Sequence, residues 1–213
     1  MQDTYRHKGL RRQLIESLKL KGIKDENVLE AMNTIPRHLF LDKVFTEQAY
    51  TDIAFQIGAG QTISHPYTVA FQTELLEIKK GDQVLEIGTG SGFQTAILCQ
   101  LGAKVYSIER QKELYLKPKP IFDFFRFNPK LKFGDGYKGW PAFAPFDKII
   151  ITCGAPFIPE DLVEQLKPGG RMIIPVGEGK NQIMQLIEKN QQGVSVKQLG
   201  TFSFVPMLKD TAK

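Results

Sequence analysis

The chain has 213 residues, of which 42% are hydrophobic and 24% are charged, a composition typical of a globular protein with a sizeable core. No apolar run reaches the roughly 20 residues of a membrane-spanning helix, and two cysteines are too few for a disulfide scaffold. The N-terminal residues lack the apolar segment of a signal peptide, which predicts a cytoplasmic protein.

The formal net charge is +5, so nucleic acid is the first class of partner to consider. Within the first 24 positions, seven residues are basic and two are acidic. Aromatic residues do not alternate with these charges, as they would on a surface that binds single strands. We interpret the charges as a solvated helix face, and we expect no specific nucleic-acid partner and no membrane partner.

Two amphipathic helices are predicted near the N-terminus. Apolar residues recur at helical spacing in residues 10–18 and 28–35, and Asp25 is a candidate N-cap for the second helix, which Pro36 ends. The residues that follow, up to 58, contain short apolar stretches without a strand–helix–strand pattern. This indicates an N-terminal subdomain that packs on a later sheet.

A glycine-rich loop over residues 58–66 precedes a predicted helix over residues 67–78. Pro66 suits the first helical turn, and Ser64 or His65 stands at the capping position. Local sequence alone favours Ser64 as a helix cap and His65 as a surface residue.

The stretch over residues 86–92, Glu-Ile-Gly-Thr-Gly-Ser-Gly, carries the clearest functional signal. It connects a predicted strand, residues 84–87, to a predicted helix, residues 93–101. Glycines at such a turn permit positive φ and let a ligand approach the backbone closely. A second predicted strand, residues 104–108, is followed by Glu109, where a carboxylate would bind ribose hydroxyls. The pattern indicates a nucleotide-like cofactor; glycines that only shape the turn are the alternative.

The glycine spacing discriminates among cofactors. A dinucleotide site requires G-x-G-x-x-G, and Phe93 stands where the third glycine is needed. A P-loop is excluded because no Lys-Ser or Lys-Thr pair follows the glycines. The observed E-x-G-x-G-x-G, followed by a strand that ends in an acid, resembles the cofactor site of class I S-adenosylmethionine-dependent methyltransferases.

After the second strand, the pattern predicts a helix that Lys117-Pro118-Lys119-Pro120 breaks or kinks, because each proline removes a backbone donor. The helix resumes over residues 121–127. A short strand, residues 131–133, ends at Gly134-Asp135-Gly136. Asp135 is either a contact near a cofactor adenine or a plain turn residue.

The rest of the chain completes an α/β pattern. The remaining predicted elements are a strand over 146–152, a helix over 159–166, a strand over 171–176 and two antiparallel strands over 182–188 and 194–204. We predict a Rossmann-like, doubly wound and mostly parallel sheet with a C-terminal antiparallel hairpin and an N-terminal helical subdomain. One structural domain is expected, in which residues 1–80 pack on a cofactor-binding core of residues 81–213.

Three segments in collinear order closely resemble protein-L-isoaspartate O-methyltransferases. They are the loop containing Gln61-Thr62-Ile63-Ser64, the glycine turn, and Gly134-Asp135-Gly136 with Ala144-Pro145-Phe146-Asp147. The resemblance extends over residues 28–208. The Gln-Thr-Ile-Ser loop makes it specific, because a generic methyltransferase would share only the central part.

By this resemblance, the enzyme transfers the methyl group of S-adenosyl-L-methionine to the free carboxylate of L-isoaspartyl residues in damaged peptides and proteins. The ester then converts through a succinimide that partly reopens to aspartate. The catalytic residue implied by the resemblance is Ser64, and no metal is implied. The implied cofactor-binding residues are Glu86, Gly88, Thr89, Gly90, Ser91, Gly92, Glu109, Arg110, Asp135 and Gly136. The implied substrate-binding residues, in the loop and near the C-terminus, are Ile57, Thr62, Ile63, His65 and Val205.

Such a reaction needs no general base, because a carboxyl group with a pKa of about 4 is already ionised at neutral pH. The sulfonium supplies the leaving group, so the protein has to align the reactants and exclude water. A hydroxyl at Ser64 could then orient the acceptor carboxylate by donating a hydrogen bond.

Two features depart from the family pattern. Lys117-Pro118-Lys119-Pro120 replaces a continuous helix. His65 stands where glutamine or alanine is common, which leaves two alternatives: the family's peptide preference, or one that is altered or depends on pH. The rival functions are a class I methyltransferase acting on a small molecule or RNA, a cofactor-binding module without turnover, and a dehydrogenase, which Phe93 disfavours. We expect a monomer, and we expect Cys99 and Cys153 to be buried free thiols.

Overall fold

The computed structural model describes residues 2–212. The α-helices within this range are α1 Tyr5–Leu20, α2 Glu26–Thr34, α3 Pro66–Leu76, α4 Phe93–Gln100, α5 Lys112–Tyr115, α6 Lys119–Phe124 and α7 Glu160–Glu164. The strands are β1 Phe55–Gly58, β2 Gln61–Ile63, β3 Gln83–Ile87, β4 Lys104–Glu109, β5 Lys130–Phe133, β6 Phe146–Ile151, β7 Leu166–Val176, β8 Gln182–Asn190 and β9 Gly193–Phe202. Short 3-10 helices occur at Arg37–Phe40, Lys43–Gln48, Gly136–Lys138 and Pro141–Phe143.

The main sheet has seven strands in the order β5-β4-β3-β6-β7-β8-β9. The strands from β5 to β7 are parallel, whereas β8 and β9 pair antiparallel at one edge. The predicted Rossmann-like fold and the C-terminal antiparallel hairpin are therefore confirmed. Strand order reverses at β3, which lies between β4 and β6, and ligands of open α/β sheets bind at such a switch point.

The N-terminal helices share a hydrophobic core with the sheet-covering helix α4. Leu18 of α1 and Ile35 after α2 are fully buried in the same cluster as Phe93 and Ile97 of α4. Each Å² of apolar surface that this contact removes from water stabilises it by about 25 cal/mol. The N-terminal segment is thus packed against the helix that follows the glycine turn.

Several boundaries differ from the prediction. Helix α1 begins at Tyr5, earlier than residue 10, because Thr4 and His7 form a reciprocal capping box. Strand β7 begins at Leu166 instead of residue 171, since Leu166 pairs with Phe146 at the start of β6. The predicted break at Lys117-Pro118-Lys119-Pro120 is present between α5 and α6.

Strands β1 and β2 were not predicted from the sequence. They form a separate two-stranded antiparallel sheet that precedes α3 in the chain. Helix α3 also lacks the predicted cap, because neither Ser64 nor His65 caps it through its side chain. The carboxylate of Asp52 takes that role and accepts a hydrogen bond from the Tyr67 amide at 2.8 Å.

Candidate functional site

The glycine turn follows β3 at the switch point of the sheet. Gly88 has φ +98°, and a Cβ there would lie 2.5 Å from Oγ1 of Thr152. That hydroxyl donates to the carbonyls of Ile87 and Gly88 at 2.9 and 2.8 Å. The end of β6 therefore presses against the turn, and only glycine fits both the space and the backbone angle.

Glu109, at the end of β4, binds the turn from the other side. Its Oε2 accepts from the Gly90 amide at 2.8 Å, and its Oε1 accepts from the Gln111 amide at 2.8 Å. The residue is only 4% exposed, yet it lines the cleft beside the turn. Each carboxylate oxygen has a second acceptor site, so Glu109 can hold the turn and still accept hydrogen bonds from ligand hydroxyls.

Two motif residues lie behind the turn instead of facing the cleft. Gly92 is buried, and a Cβ there would lie 2.5 Å from Pro118 and 2.8 Å from Phe122; its small size admits α6. The Glu86 carboxylate is completely buried and accepts from the Thr95 hydroxyl at 2.5 Å. Burial raises the pKa of Glu86 to about 7.

A cleft of about 530 Å³ lies at this edge of the sheet. It is lined by Gln61, Thr62, Ile87, Gly88, Gly90, Ile108, Glu109, Arg110, Gly136, Thr152, Cys153, Val205, Pro206, Met207 and Leu208. A smaller cleft of about 320 Å³ shares four of these residues and is lined in addition by Ile63, Ser64, Val69, Thr89, Ser91, Phe93 and Gln94. The loop after β2 and the glycine turn therefore face each other across one continuous depression.

The loop residues take different positions in this depression. Thr62 lines both clefts and Ser64 lines the smaller one. Ile57 is buried, and its Cδ1 lies 3.4 Å from the position of a Cβ on Gly90. His65 is exposed, lies outside both clefts, and places Nδ1 3.2 Å from the carbonyl oxygen of Asp52.

The far end of the larger cleft is formed by the segments after β4 and β5. Gly136 is buried, and a Cβ there would lie 2.4 Å from Cγ2 of Ile87. The neighbouring Asp135 does not line the cleft; its carboxylate accepts from the Tyr137 amide at 2.9 Å. Arg110 lines the cleft, and its Nε donates to the backbone carbonyl of Asp210 at 3.1 Å.

Several lining residues were not predicted. Thr152 and Cys153 follow β6, and Pro206 with Met207 adjoin the predicted Val205. The end of a predicted parallel strand next to the glycine turn was a usable signal for Thr152. Burial raises the pKa of Cys153 to about 12, which favours the protonated thiol at neutral pH. Both it and Cys99 are free thiols, as predicted, but each is only partly buried.

Three potential metal ligands cluster away from the cleft. Asp3, His7 and His38 place one ligand atom each within 4.8 Å of one another. However, both Asp3 oxygens accept from Arg11 at 3.0 Å, and Nε2 of His38 lies 3.1 Å from the Gln2 carbonyl, which can only accept. Asp3 and His38 are therefore already bonded to other residues, and these bonds fasten the N-terminal segment.

None of the helices within residues 2–212 is both long enough and apolar enough to span a membrane.

The fold and the cleft define a class I methyltransferase architecture: a glycine turn at the switch point, an acid at the end of the next strand, and a cleft across both. The family model described as protein-L-isoaspartate(D-aspartate) O-methyltransferase (PCMT) matches residues 9–212. The chain belongs to this family.

Similar proteins agree over nearly the whole length. A protein-L-isoaspartate O-methyltransferase of Christiangramia forsetii is 59% identical over 211 residues, which cover 99% of each chain. One of Salinibacter ruber is 43% identical, covering 97% of this chain and 94% of its own. A Plasmodium falciparum structure described as such an enzyme in complex with S-adenosyl-L-homocysteine has a TM-score of 0.80 at 25% identity, covering 94% of this chain and 99% of its own.

Proposed function

We propose that this chain is a protein-repair methyltransferase. It transfers the methyl group of S-adenosyl-L-methionine to the free carboxylate of L-isoaspartyl residues, and the ester converts through a succinimide. The observation that carries this proposal is the shared depression between the Ser64 loop and the glycine turn. A loop far from the turn would have left no path for a methyl group.

The chemistry of the larger cleft fits the cofactor. Glu109 offers acceptors for a pair of ribose hydroxyls, whereas Ile87, Ile108 and Met207 offer apolar surface for a purine ring. When bound, S-adenosyl-L-methionine supplies an activated methyl group on a sulfonium. We assign direct cofactor contacts to the lining residues Gly88, Thr89, Gly90, Ser91, Glu109, Arg110 and Gly136, and supporting roles to Glu86, Gly92 and Asp135.

The acceptor side needs orientation instead of proton removal. An isoaspartyl carboxylate is ionised at neutral pH, and we propose that the Ser64 hydroxyl donates a hydrogen bond that aims one of its oxygens. Ile57, Thr62, Ile63 and Val205 would hold the surrounding peptide. His65, which is exposed, would touch only the peptide outside the cleft.

We also propose that the chain acts as a cytoplasmic monomer without a nucleic-acid partner. Residues 1–80 and 81–213 would serve as substrate-side and cofactor-side parts of one domain, which their shared core supports. Two free thiols suit a reducing compartment. Mass measurement in solution tests the monomer, and cell fractionation tests the location.

The decisive experiment measures methanol release from labelled S-adenosyl-L-methionine with paired isoaspartyl and aspartyl peptides of one sequence. We expect release with the isoaspartyl peptide only. Equal release from both peptides, or methylation of RNA or small acids in their place, would contradict the proposal.

A further inference from the structure

A buried arginine lies behind the serine loop. Arg37 begins the 3-10 helix Arg37–Phe40 and is 1% exposed. Its guanidinium lies 5.4 Å from the ring centroid of Phe55 and 6.0 Å from that of Phe93. The side chain therefore joins the hairpin β1–β2 to the helix that follows the glycine turn.

The guanidinium donates to three backbone carbonyls from separate segments. One terminal nitrogen donates to Ala49 at 2.6 Å, and the other donates to Ile53 at 2.9 Å and to Ser64 at 3.0 Å. The third nitrogen, Nε, is buried and has no partner among residues 2–212. The planar fork of arginine is suited to such a multiple contact, and lysine cannot reproduce it.

Burying the Arg37 guanidinium costs free energy of folding, which a purely structural role explains poorly. No salt bridge between the described residues includes Arg37, and burial lowers the pKa of its guanidinium to about 10. The group is still charged at neutral pH, and the attraction of the nearby Asp52 offsets only part of the desolvation cost of burying it. An apolar side chain of similar volume would avoid that cost but would leave the three carbonyls unbonded.

The hydrogen bond to the Ser64 carbonyl connects the buried Arg37 to the residue that is proposed to orient the acceptor carboxylate. Ser64 stands between β2 and α3, and the Asp52 carboxylate holds the start of α3 through the Tyr67 amide. Among residues 2–212, Arg37 is the side chain that donates a hydrogen bond to the backbone of Ser64. Anchoring the carbonyl limits the backbone angles of Ser64, and so limits where its hydroxyl can point.

We propose that Arg37 is a positioning residue for Ser64. It holds the serine backbone so that the hydroxyl faces the cleft beside the glycine turn, and it acts without touching cofactor or substrate. The inference rests on the proposed role of Ser64 in methyl transfer to an isoaspartyl carboxylate.

The test compares Arg37→Met and Arg37→Lys with Arg11→Met as a matched control. Arg11 is also a buried arginine, 5% exposed, and it donates to the carbonyl of Asn33, to the hydroxyl of Tyr50 and to Asp3, away from both clefts. All three variants should lose thermal stability. Arg37→Met should lower kcat with an isoaspartyl peptide by about tenfold, with Kd for S-adenosyl-L-homocysteine within twofold of wild type. Arg37→Lys should lower kcat by a smaller factor, and Arg11→Met should leave kcat unchanged.

Amide hydrogen exchange gives a readout independent of turnover. Exchange in residues 61–67 should accelerate in Arg37→Met and stay unchanged in Arg11→Met. Equal kcat and equal exchange in the Arg37 and Arg11 variants would overturn the inference. If Arg37→Met does not fold, Arg37→Lys carries the same comparison. If wild-type protein methylates no isoaspartyl peptide, the proposed function fails, and hydrogen exchange still decides whether Arg37 orders the loop.

Discussion

The two walls of the cleft are held in place in different ways. The glycine turn is fixed by its neighbours in the sheet: the Gly88 amide donates to the Ile108 carbonyl at 2.9 Å, and the Thr152 hydroxyl binds the turn from β6. The serine loop belongs to no large sheet. Long side chains from distant segments hold it, among them Lys117, whose Nζ donates to the Ile57 carbonyl at 2.8 Å.

This difference separates cofactor affinity from substrate alignment. A central parallel sheet is rigid and buried on both faces, so the cofactor side should be preformed. A two-stranded hairpin is marginally stable by itself. The geometry of the substrate side therefore depends on the lysine and arginine side chains that donate hydrogen bonds to its carbonyls. Changes behind the loop should therefore alter turnover and leave cofactor binding intact, whereas changes at the turn should do the reverse.

The largest effect is expected for Glu109→Ala. The variant removes the acceptors for the ribose hydroxyls and also the two backbone bonds that fix Gly90 and Gln111. Hydrogen bonds to a charged group contribute about 1.5–3 kcal/mol, so Kd for S-adenosyl-L-homocysteine should rise about 100-fold in calorimetry. Glu164→Ala, an exposed acid on α7, is the control. Undiminished affinity in Glu109→Ala would move the ribose contact to another residue.

The second effect concerns stability on the cofactor side. The pKa of Glu86 is about 7 in the folded protein and 4.5 in the unfolded chain, so the folded state binds the proton more tightly. The stabilising contribution is complete below pH 4.5 and is lost as pH rises through 7. Above pH 7 the folded protein contains a buried carboxylate, one oxygen of which has no hydrogen-bond partner within residues 2–212.

Glu86→Gln should remove this pH dependence. As pH rises from 5 to 8, the free energy of unfolding of wild type should fall by about 2 kcal/mol relative to that of the variant. Denaturant unfolding at both pH values provides the measurement. A difference between variant and wild type that does not change with pH would show that Glu86 ionises normally.

Ser64→Ala should act on the other wall. Loss of one orienting hydrogen bond corresponds to about 1.4 kcal/mol, so kcat with an isoaspartyl peptide should fall about tenfold while cofactor Kd stays unchanged. Ser195→Ala, an exposed serine on β9, should match wild type. If the Ser64 variant keeps full turnover, or instead loses cofactor affinity, the separation of the two walls fails.

The same contrast explains what the sequence can predict. The glycine turn, Glu109 and the strands around them are local patterns, and the structure has the predicted fold. Even in the glycine turn, the physical reason for a glycine can differ from the predicted one, because Gly92 makes room for Pro118 at the start of α6. That contact joins residues far apart in the chain, and no local pattern contains it.

The serine loop was recognisable only as a motif. Its hairpin has strands of four and three residues, too short for a period-2 pattern to appear. Arg37 follows a proline and looks like a surface residue, although its bonds reach 12, 16 and 27 residues along the chain. Such bonds follow from tertiary packing, so the sequence alone did not predict the burial of Arg37.

The smallest effect is expected for Lys117→Met. Lys117 lies in the Lys-Pro-Lys-Pro segment that departs from the family pattern, and its bond anchors the carbonyl of Ile57 at the first strand of the hairpin. The side chain is exposed, so water can replace the lost bond and the cost should be about 0.6 kcal/mol. KM for an isoaspartyl peptide should rise about threefold, with kcat and cofactor Kd unchanged.

Two further variants sharpen this prediction. Lys117→Arg keeps a donor at the position and should restore most of the peptide affinity, whereas Lys119→Met removes an exposed charge two residues away and should match wild type. If Lys119→Met raises KM as much as Lys117→Met does, long-range attraction between the basic segment and the peptide explains the effect. In that case the bond to Ile57 does not position the hairpin, and Arg37 and Asp52 remain as side chains that hold the loop.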